Sequence, residues 1–483
     1  MGKQNDKRKV ITSLFWKLME RGGVQGINFL VQIILGRLLL PEDFGAIAIV
    51  TVFITLSNVF VQSGLNTALI QKRDSDDIDF SSVFYLSTFL AAVLYMLLFI
   101  FSPFIADYYS SPQLTNVLRV LAITLFFGAF NSIQNAYVAR NMMFKLLFFS
   151  TLGSIIISGI VGIIAAYSGL GVWSLVLQQI TQKLSVSIIL WFTVKWRPQL
   201  KFSLSRVKVL FSFGWKLLAS SLLNNLYIDI RTLIVGRLYA SSMLGFYNRG
   251  EQFPKLIVTN IDGAIQSVML PTLSNEQDNI KRVKEMVRRA IVSSSLLIFP
   301  MMVGLAVVAE PLIKVLLTDK WLPAVPFLQI FCISYSIMPI HTANLQAINA
   351  LGRSDVFLKL EILKKIIGII ILIISLRFGI FALAWGLVLS GVISSFINAY
   401  PNKKLLNYSY IEQWKDIMPS LLISLLMGSI VYMLNFLNIA ELLKLILQVV
   451  VGVAAYILLA KLLKVEGFSY LVKTAKGMIK IKM

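Results

Sequence analysis

The chain has few of the residue types on which soluble enzymes depend. Only 14% of its 483 residues are charged, whereas a soluble domain carries about 25%. Cys332 is the only cysteine and His341 the only histidine, so an internal disulfide is excluded and no metal site is expected. No G-x-x-x-x-G-K-S/T loop occurs, so the sequence gives no support for ATP as an energy source. The alternating ten-residue segments of an outer-membrane barrel are also missing.

Long apolar segments fill the sequence instead. Apolar residues make up 57% of the chain, and its mean hydropathy is +0.79. A membrane span needs about 20 apolar residues. Fourteen segments qualify, roughly at 10–38, 44–70, 80–105, 113–138, 146–168, 171–194, 209–237, 243–271, 288–317, 322–350, 355–377, 379–400, 413–436 and 441–462. The predicted fold is therefore an all-α integral membrane protein with about fourteen transmembrane helices.

Lysine and arginine are unevenly distributed among the connections. If the N-terminus is cytoplasmic and the spans alternate, the cytoplasmic segments hold 31 of the 45 basic residues and the external loops hold 6. The positive-inside rule assigns the excess to the cytoplasm, so we predict a multi-pass plasma-membrane protein with both termini cytoplasmic. An anionic inner leaflet accounts for the net charge of +22, and nucleic acid is not expected as a partner.

Two segments about 200 residues apart follow one template. Trp16-Lys17-Leu18 recurs as Trp215-Lys216-Leu217, and GRLLLPEDFG (36–45) recurs as GRLYASSMLG (236–245). Six spans separate the copies, so both cross the membrane in the same direction. Parallel repeats are typical of transporters whose halves are related by a pseudo-two-fold axis along the membrane normal. The predicted organisation is an N-terminal lobe (1–200, spans 1–6), a C-terminal lobe (201–404, spans 7–12), two extra spans (405–464) and a basic amphipathic cytoplasmic tail (465–483).

Several predicted spans contain ionisable residues. A charge at mid-bilayer costs roughly 2.5–3.5 kcal/mol on insertion scales, so such residues usually face a cavity or a partner. In the interior of spans 1, 4, 6, 7 and 8, the acids are Glu20, Asp229, Glu251 and Asp262. The cations there are Lys17, Arg21, Arg119, Lys183, Lys216, Arg231, Arg249 and Lys255. Pairing can neutralise at most four of these eight cations. The surplus predicts a cationic substrate-binding cavity between the lobes, lined by spans 1, 7 and 8.

Uncharged polar residues follow the cations at helical spacing. Asn28 and Gln32 do so in span 1, and Asn224 and Tyr227 in span 7. Several separated cations suit a diphosphate better than a small monovalent anion, and amide and hydroxyl groups suit sugar hydroxyls. Neutral pairing within the protein is the alternative explanation for these residues.

Net transport without a nucleotide site needs an ion gradient, the membrane potential, or consumption of the product outside. H⁺ and Na⁺ are the candidate coupling ions, and no other cofactor is expected. Glu20 adjoins the flexible Gly22-Gly23 pair and is favoured over Asp262 as the coupling acid. Asp229 lies two residues from Arg231 and is expected to be its structural partner.

Two polar segments carry weaker signals. The D-x-D string within Asp74–Asp77 occurs in metal sites of some glycosyltransferases, but no nucleotide-binding domain accompanies it here, so we interpret it as a solvated charge run. Ile280, Val283, Val287 and Ala290 lie opposite basic residues at helical spacing. This pattern predicts an amphipathic helix on the inner membrane surface.

Three stretches resemble the bacterial polysaccharide transporters of the multidrug/oligosaccharidyl-lipid/polysaccharide flippase superfamily. They are LLLPEDFGAIAIVTVFITLSNVFVQSGLNTALIQKRD (38–74), FIADYYSSPQLTNVLRVLAI (104–123) and FYNRGEQFPKLIVTNIDGAIQSVMLPTLSNEQD (246–278). The resemblance follows the whole chain in span order, and the pattern is nearest to colanic-acid-type exporters. It implies twelve core spans plus two, and a membrane flippase that exports undecaprenyl-diphosphate-linked oligosaccharides for O-antigen, capsule or exopolysaccharide.

The resemblance also implies partners, namely membrane lipid, the lipid-linked oligosaccharide, and polymerase or assembly proteins. A cation-coupled drug antiporter of the same fold is one alternative, but its cavity should be acidic. A membrane polymerase or ligase is a second alternative, but the external loops are short and contain no nucleophile–base set. A non-transporting scaffold of a polysaccharide assembly complex is the third.

Overall fold

The computed structural model describes Trp16 and residues 22–62, 64–72 and 74–468, and within these ranges the regular elements are helices. The first nine helices are α1 (22–38), α2 (Pro41–Gln62), α3 (Leu65–Gln71), α4 (Asp77–Tyr108), α5 (Gln113–Leu121), α6 (Thr124–Arg140), α7 (Phe144–Tyr167), α8 (Val172–Thr193) and α9 (Leu204–Leu238). The next nine are α10 (Ser241–Ser274), α11 (Ile280–Val307), α12 (Ala309–Leu317), α13 (Val325–Ser336), α14 (Met338–Ala350), α15 (Ser354–Ser375), α16 (Ile380–Leu405), α17 (Tyr410–Met433) and α18 (Glu441–Leu462).

Eleven helical runs in the described part are long and apolar enough to cross a membrane. They coincide with the predicted spans except the first, seventh and eleventh. The first predicted span is described only from residue 22 onward. The seventh and eleventh are the helices α9 and α15, which carry more polar and charged residues, such as Asp229 and Arg231 in α9 and Lys364 in α15. The predicted multi-pass all-α membrane fold is confirmed, and the count of fourteen stays a prediction compatible with it.

The chain packs as two compact units, 1–245 and 246–483. Helix α9 belongs to the first unit because it packs against α2, α3 and α4. The boundary between the two compact units therefore follows α9, at residue 245. The predicted lobe boundary at residue 200 is based on the sequence repeat and stays a prediction. In the second unit α17, one of the two extra spans, packs closely against α11.

Small residues allow close helix packing in the first unit. Ser150, Ser154, Ser158, Gly162 and Ala166 recur every four residues along α7, and all five are buried. This face packs against α8, where a Cβ on Gly162 would lie 2.9 Å from Cβ of Gln178. Within a bilayer, helix association depends on such van der Waals contact because lipid tails are as apolar as leucine.

The predicted surface helix at residues 280–290 is wrong. These residues form the first turns of α11, which continues to Val307. Val283 and Val287 are fully buried in the core of the second unit, in one cluster with Tyr408 and Ile417. The apolar stripe therefore packs against protein, not against the membrane surface. Of the predicted tail, Val465 and Phe468 pack onto Leu296, and residues 469–483 lie outside the described part.

The two repeat copies meet at their glycines. Gly45 lies in the first turns of α2 and Gly245 in the first turns of α10. A Cβ on Gly45 would lie 1.8 Å from the carbonyl oxygen of Ser241, and a Cβ on Gly245 would lie 2.1 Å from that of Pro41. Pro41 and Ser241 are themselves equivalent positions of the repeat. The contact is therefore reciprocal, as a local two-fold relation between the copies requires, and no side chain larger than hydrogen fits at either glycine.

We expect Gly45→Ala and Gly245→Ala each to destabilise the protein by about 1–3 kcal/mol, because the added methyl group collides with a carbonyl oxygen of the other helix and pushes the two backbones apart. Thermal unfolding of the purified protein in detergent measures the effect. Gly391→Ala is the matched control, because nothing lies within 4 Å of a Cβ there and the change favours a helix. Equal unfolding temperatures for all three variants would contradict the close contact.

Candidate functional site

Part of the predicted site lies outside the described residues. Lys17, Glu20 and Arg21 belong to this part, so their predicted roles stay predictions. The polar residues predicted to follow them in span 1, Asn28 and Gln32, are half-buried on α1.

The polar stripe of span 7 runs along α9 from an exposed to a buried position. Lys216 and Asn224 are exposed, Tyr227 is half-buried, and Arg231 is only 8% exposed. The Arg231 guanidinium lies 5.8 Å from the centre of the Tyr227 ring. A cation over an aromatic face gains electrostatic attraction without losing its charge. The structure thus brings together two predicted site residues, Tyr227 and Arg231.

Arg119 and Lys183 occupy separate places in the first unit. Arg119 joins α5 to α4, because its Nε donates to Oγ of Ser102 at 2.9 Å and its guanidinium lies 4.2 Å from the centre of the Phe99 ring. Lys183 has an exposed position on α8. Among the described residues, no carboxylate lies within 4.0 Å of the side-chain nitrogens of four predicted site cations: Arg119, Lys183, Lys216 and Arg231.

The two predicted cations of the second unit lie on α10. Arg249 is 5% exposed; its Nη1 donates to Oε1 of Gln252 at 2.5 Å, and its guanidinium lies 5.1 Å from the centre of the Trp321 ring. Lys255 is paired with Glu251 at 3.5 Å, and the hydroxyl of Tyr335 donates to the same carboxylate at 2.7 Å. Neutral pairing therefore accounts for Lys255.

Asp262 is the most enclosed of the described acids within the predicted spans. It is 6% exposed and accepts hydrogen bonds from Oγ1 of Thr342 and, at 2.8 Å, from Nε2 of Gln266. The donors belong to α14 and to α10 itself. A carboxylate held by neutral donors can bind or release a proton or a small cation without breaking an ion pair, which is the chemistry that ion coupling needs.

The three aspartates of the predicted solvated charge run at Asp74–Asp77 are exposed, and one of them also has a structural role. Asp76 caps α4, accepting from the backbone N–H of Asp79 at 3.0 Å, and it also binds Arg206 at 2.5 Å. Asp79 is fully buried, with Nζ of Lys72 at 2.6 Å and Nη1 of Arg206 at 3.5 Å. The hydrogen bond from Arg206 lowers the pKa of Asp76. The segment is a structural junction that ties the start of α4 to the start of α9.

Sequence reasoning missed a buried amide cluster in the second unit. Asn344, Asn402 and Gln413 are fully buried, and their amides bond to one another at 2.7–3.0 Å. They join α14, α16 and α17, so an extra span is tied to the core by polar contacts. The sequence signal for this cluster was the presence of two asparagines and a glutamine within apolar segments.

Nδ1 of His341 lies 3.0 Å from Nδ2 of Asn398, a contact that joins α14 to α16.

We expect Asp79→Asn to destabilise the folded protein by about 1–3 kcal/mol, because it leaves Lys72 and Arg206 without their shared buried anion. Asp74→Asn, at an exposed position of the same loop, is the control. Chemical unfolding in detergent at neutral pH compares the two, and equal stabilities would show that the junction contributes nothing.

Acid should destabilise the junction at the start of α4 by protonating Asp76. Because the pKa of folded Asp76 is lowered from 3.8, its contribution to stability is fully present above that value and is lost as the pH falls through the folded pKa. The Asp76→Asn variant should show a smaller loss of stability over this acid range than the unsubstituted protein.

The fold defines a multi-pass α-helical membrane protein. Residues 34–326, more than half of the chain, match the family described as "Polysaccharide biosynthesis protein". The chain belongs to this polysaccharide biosynthesis family.

Named relatives agree with that assignment. The teichuronic acid biosynthesis protein TuaB of Bacillus subtilis is 26% identical over 384 residues, which are 78% of each chain. The succinoglycan biosynthesis transport protein ExoT of Rhizobium meliloti is 24% identical over 349 residues, 72% of this chain and 71% of the relative.

Solved structures share the fold at lower identity. The lipid II flippase MurJ, in an inward closed conformation, aligns with a TM-score of 0.76 at 15% identity and covers 94% of this chain and 98% of its own. An inward-facing multidrug resistance MATE family transporter of the MOP superfamily aligns with a TM-score of 0.61 at 14% identity, covering 81% and 98%. These matches show that the chain shares the multi-helix membrane fold of these two proteins.

Proposed function

We propose that the protein is a flippase of the bacterial plasma membrane. It moves undecaprenyl-diphosphate-linked oligosaccharide units from the cytoplasmic to the external face by alternating access, for the assembly of a surface polysaccharide. In this proposal it acts as a transporter and not as an enzyme, both termini are cytoplasmic, and polymerase or assembly proteins take the product outside. The names of the relatives, which concern teichuronic acid and succinoglycan biosynthesis, support the polysaccharide pathway.

The observation that carries the proposal is a set of cations in the first unit that have no carboxylate within 4.0 Å among the described residues. Placing one of these charges in an apolar segment is costly unless water, a partner or a ligand compensates it. Arg231 is the clearest case, because it is 8% exposed and lies over an aromatic ring. An anionic ligand with hydroxyl groups suits cations that share a helix with amide and hydroxyl side chains, as on α9. A drug antiporter, which handles cationic ligands, would need the opposite charge balance.

Removal of two cations tests the function. In cells without a chromosomal copy, the Lys216→Gln, Arg231→Gln double variant should lower surface polysaccharide at least about tenfold and accumulate lipid-linked units inside, because each charge contributes roughly 1 kcal/mol or more to anion binding. Polymer on the cell surface and lipid-linked units in membrane extracts are measured at equal protein levels.

Lys201→Gln is the matched control, because Lys201 is an exposed cation in the connection between α8 and α9. Full export by the double variant, at a protein level equal to that of the control, would remove these two residues from the substrate path.

Ion coupling is proposed to use Glu20 or Asp262. In vesicles with an imposed H⁺ or Na⁺ gradient, replacement of the coupling acid by its amide should abolish the gradient dependence of flux and keep gradient-independent exchange. Glu20→Gln and Asp262→Asn are compared with Glu251→Gln, whose carboxylate is paired with Lys255. If both amide variants retain gradient-dependent flux, neither acid is the coupling group.

A further inference from the structure

The first unit contains an apolar groove that none of the roles above uses. It lies between α4, α6 and α8 and has a volume of about 390 Å³. Five phenylalanines and Trp191 provide most of its lining, and Thr88 and Ser187 are its polar residues. Phe192 at its edge is 79% exposed. A groove of this lining cannot satisfy the hydroxyl groups of a sugar, but it suits a hydrocarbon chain.

The groove is preformed. The ring centres of Phe130 and Trp191 lie 5.0 Å apart, and those of Phe84 and Phe130 lie 5.9 Å apart. Behind the rings, the Ser187 hydroxyl and Oδ1 of Asn131 lie 2.9 Å apart in a buried hydrogen bond that fixes α8 against α6. A ligand chain can therefore enter without the cost of ordering its walls.

One end of the groove is cationic. Trp191 lies in the last turn of α8, and the guanidinium of Arg197 is 4.3 Å from its ring centre. Arg197 also donates to the carbonyl oxygens of Trp191 and, at 2.5 Å, of Val194, the residue that follows α8, so its position is fixed by the end of the helix. Lys195, two residues away, is exposed. Two adjacent cations at the end of an apolar groove match an anionic headgroup attached to a hydrocarbon chain.

We propose that this groove holds the part of the polyprenyl chain next to the diphosphate and that Lys195 and Arg197 bind the diphosphate at the cytoplasmic surface. The inference rests on the proposed function and adds an initial docking site to it. The branched, unsaturated polyprenyl chain presents methyl groups and double bonds to the aromatic walls. A diphosphate has more charge than the phosphodiester of an ordinary phospholipid, and it can engage both cations at once. Lys183 lies two turns before Trp191 on the same face of α8, where it can receive the diphosphate as it moves inward.

Filling the groove tests the proposal. Thr88→Trp places a large ring in it and removes no bond between helices, because the Thr88 hydroxyl donates only to the carbonyl of Phe84 within α4. Val93→Trp is the matched control on the same helix, at a 39% exposed position that does not line the groove. Phe192→Ala is a second groove variant, at a position whose exposure makes folding insensitive to the change.

Binding is measured with full-length protein in phosphatidylethanolamine nanodiscs. Undecaprenyl diphosphate, undecaprenol or phosphatidylglycerol is added at equal mole fractions, and bound lipid is counted by native mass spectrometry. We expect about tenfold weaker binding of undecaprenyl diphosphate by Thr88→Trp, a several-fold loss by Phe192→Ala, and no change by Val93→Trp. Lys195→Gln should weaken binding of the diphosphate and leave that of undecaprenol unaltered.

Two results would overturn the proposal. Unchanged undecaprenyl diphosphate binding by both groove variants would show that the chain lies elsewhere. Equal loss of phosphatidylglycerol and undecaprenyl diphosphate in Thr88→Trp would identify a general phospholipid groove. Neither result affects the proposed function, which is tested separately by export in cells. Normal export by the double cation variant would remove Lys216 and Arg231 from the substrate path while leaving lipid binding in the groove intact.

Discussion

The backbones of the first turns of α2 and α10 touch directly, because a glycine of each helix faces the backbone of the other. At Gly45 and Gly245 the first turns of these helices approach so closely that a single carbon atom would collide with a carbonyl oxygen. In a bilayer the hydrophobic effect does not press helices together, so direct contact between backbones is one of the few ways to fix a crossing. The first turns of α2 and α10, up to Gly45 and Gly245, are fixed by this crossing.

Charge is handled in two ways. Towards the helix ends it is neutralised in compact junctions. In the first unit Arg206 joins Asp76 and Asp79; in the second, Arg288 joins Asp416 and Glu466 at 2.7–2.9 Å. Glu466 connects the residues after α18 to α11 in this way, and the pair lowers its pKa. Within the spans, cations lie over aromatic rings, as Arg231 and Arg249 do. Junction charges hold helices together, whereas the span cations in the first unit are the ones that we propose to bind an anionic ligand.

Membrane spans were predictable from the sequence because the need for about 20 apolar residues leaves a direct pattern in it. The repeat was also visible, since its glycines and arginines are conspicuous in an apolar chain. Contacts were not. The stripe at Val283 and Val287 has the same spacing whether it faces lipid or protein, and only the packing against Tyr408 and Ile417 distinguishes the two. Asp76 and Arg206 are 130 residues apart, so the acidic loop read alone gave no sign of its partner. The predicted cations were identified by position, but their substrate contacts depend on a ligand that sequence does not encode directly.

The reciprocity of the glycine crossing has an evolutionary consequence. Residue 45 faces residue 241, and residue 245 faces residue 41, so the two sides of the contact are the same surface used twice. An isologous interface of this kind is the contact that two identical chains make in a symmetric dimer. A half-length ancestor could therefore have used its one glycine to build the crossing before duplication joined the copies. Once the copies were joined, the residues around each glycine could change, whereas each glycine had to stay because no larger residue fits there. GRLLLPEDFG and GRLYASSMLG show this pattern: both end residues are retained and most of the residues between them differ.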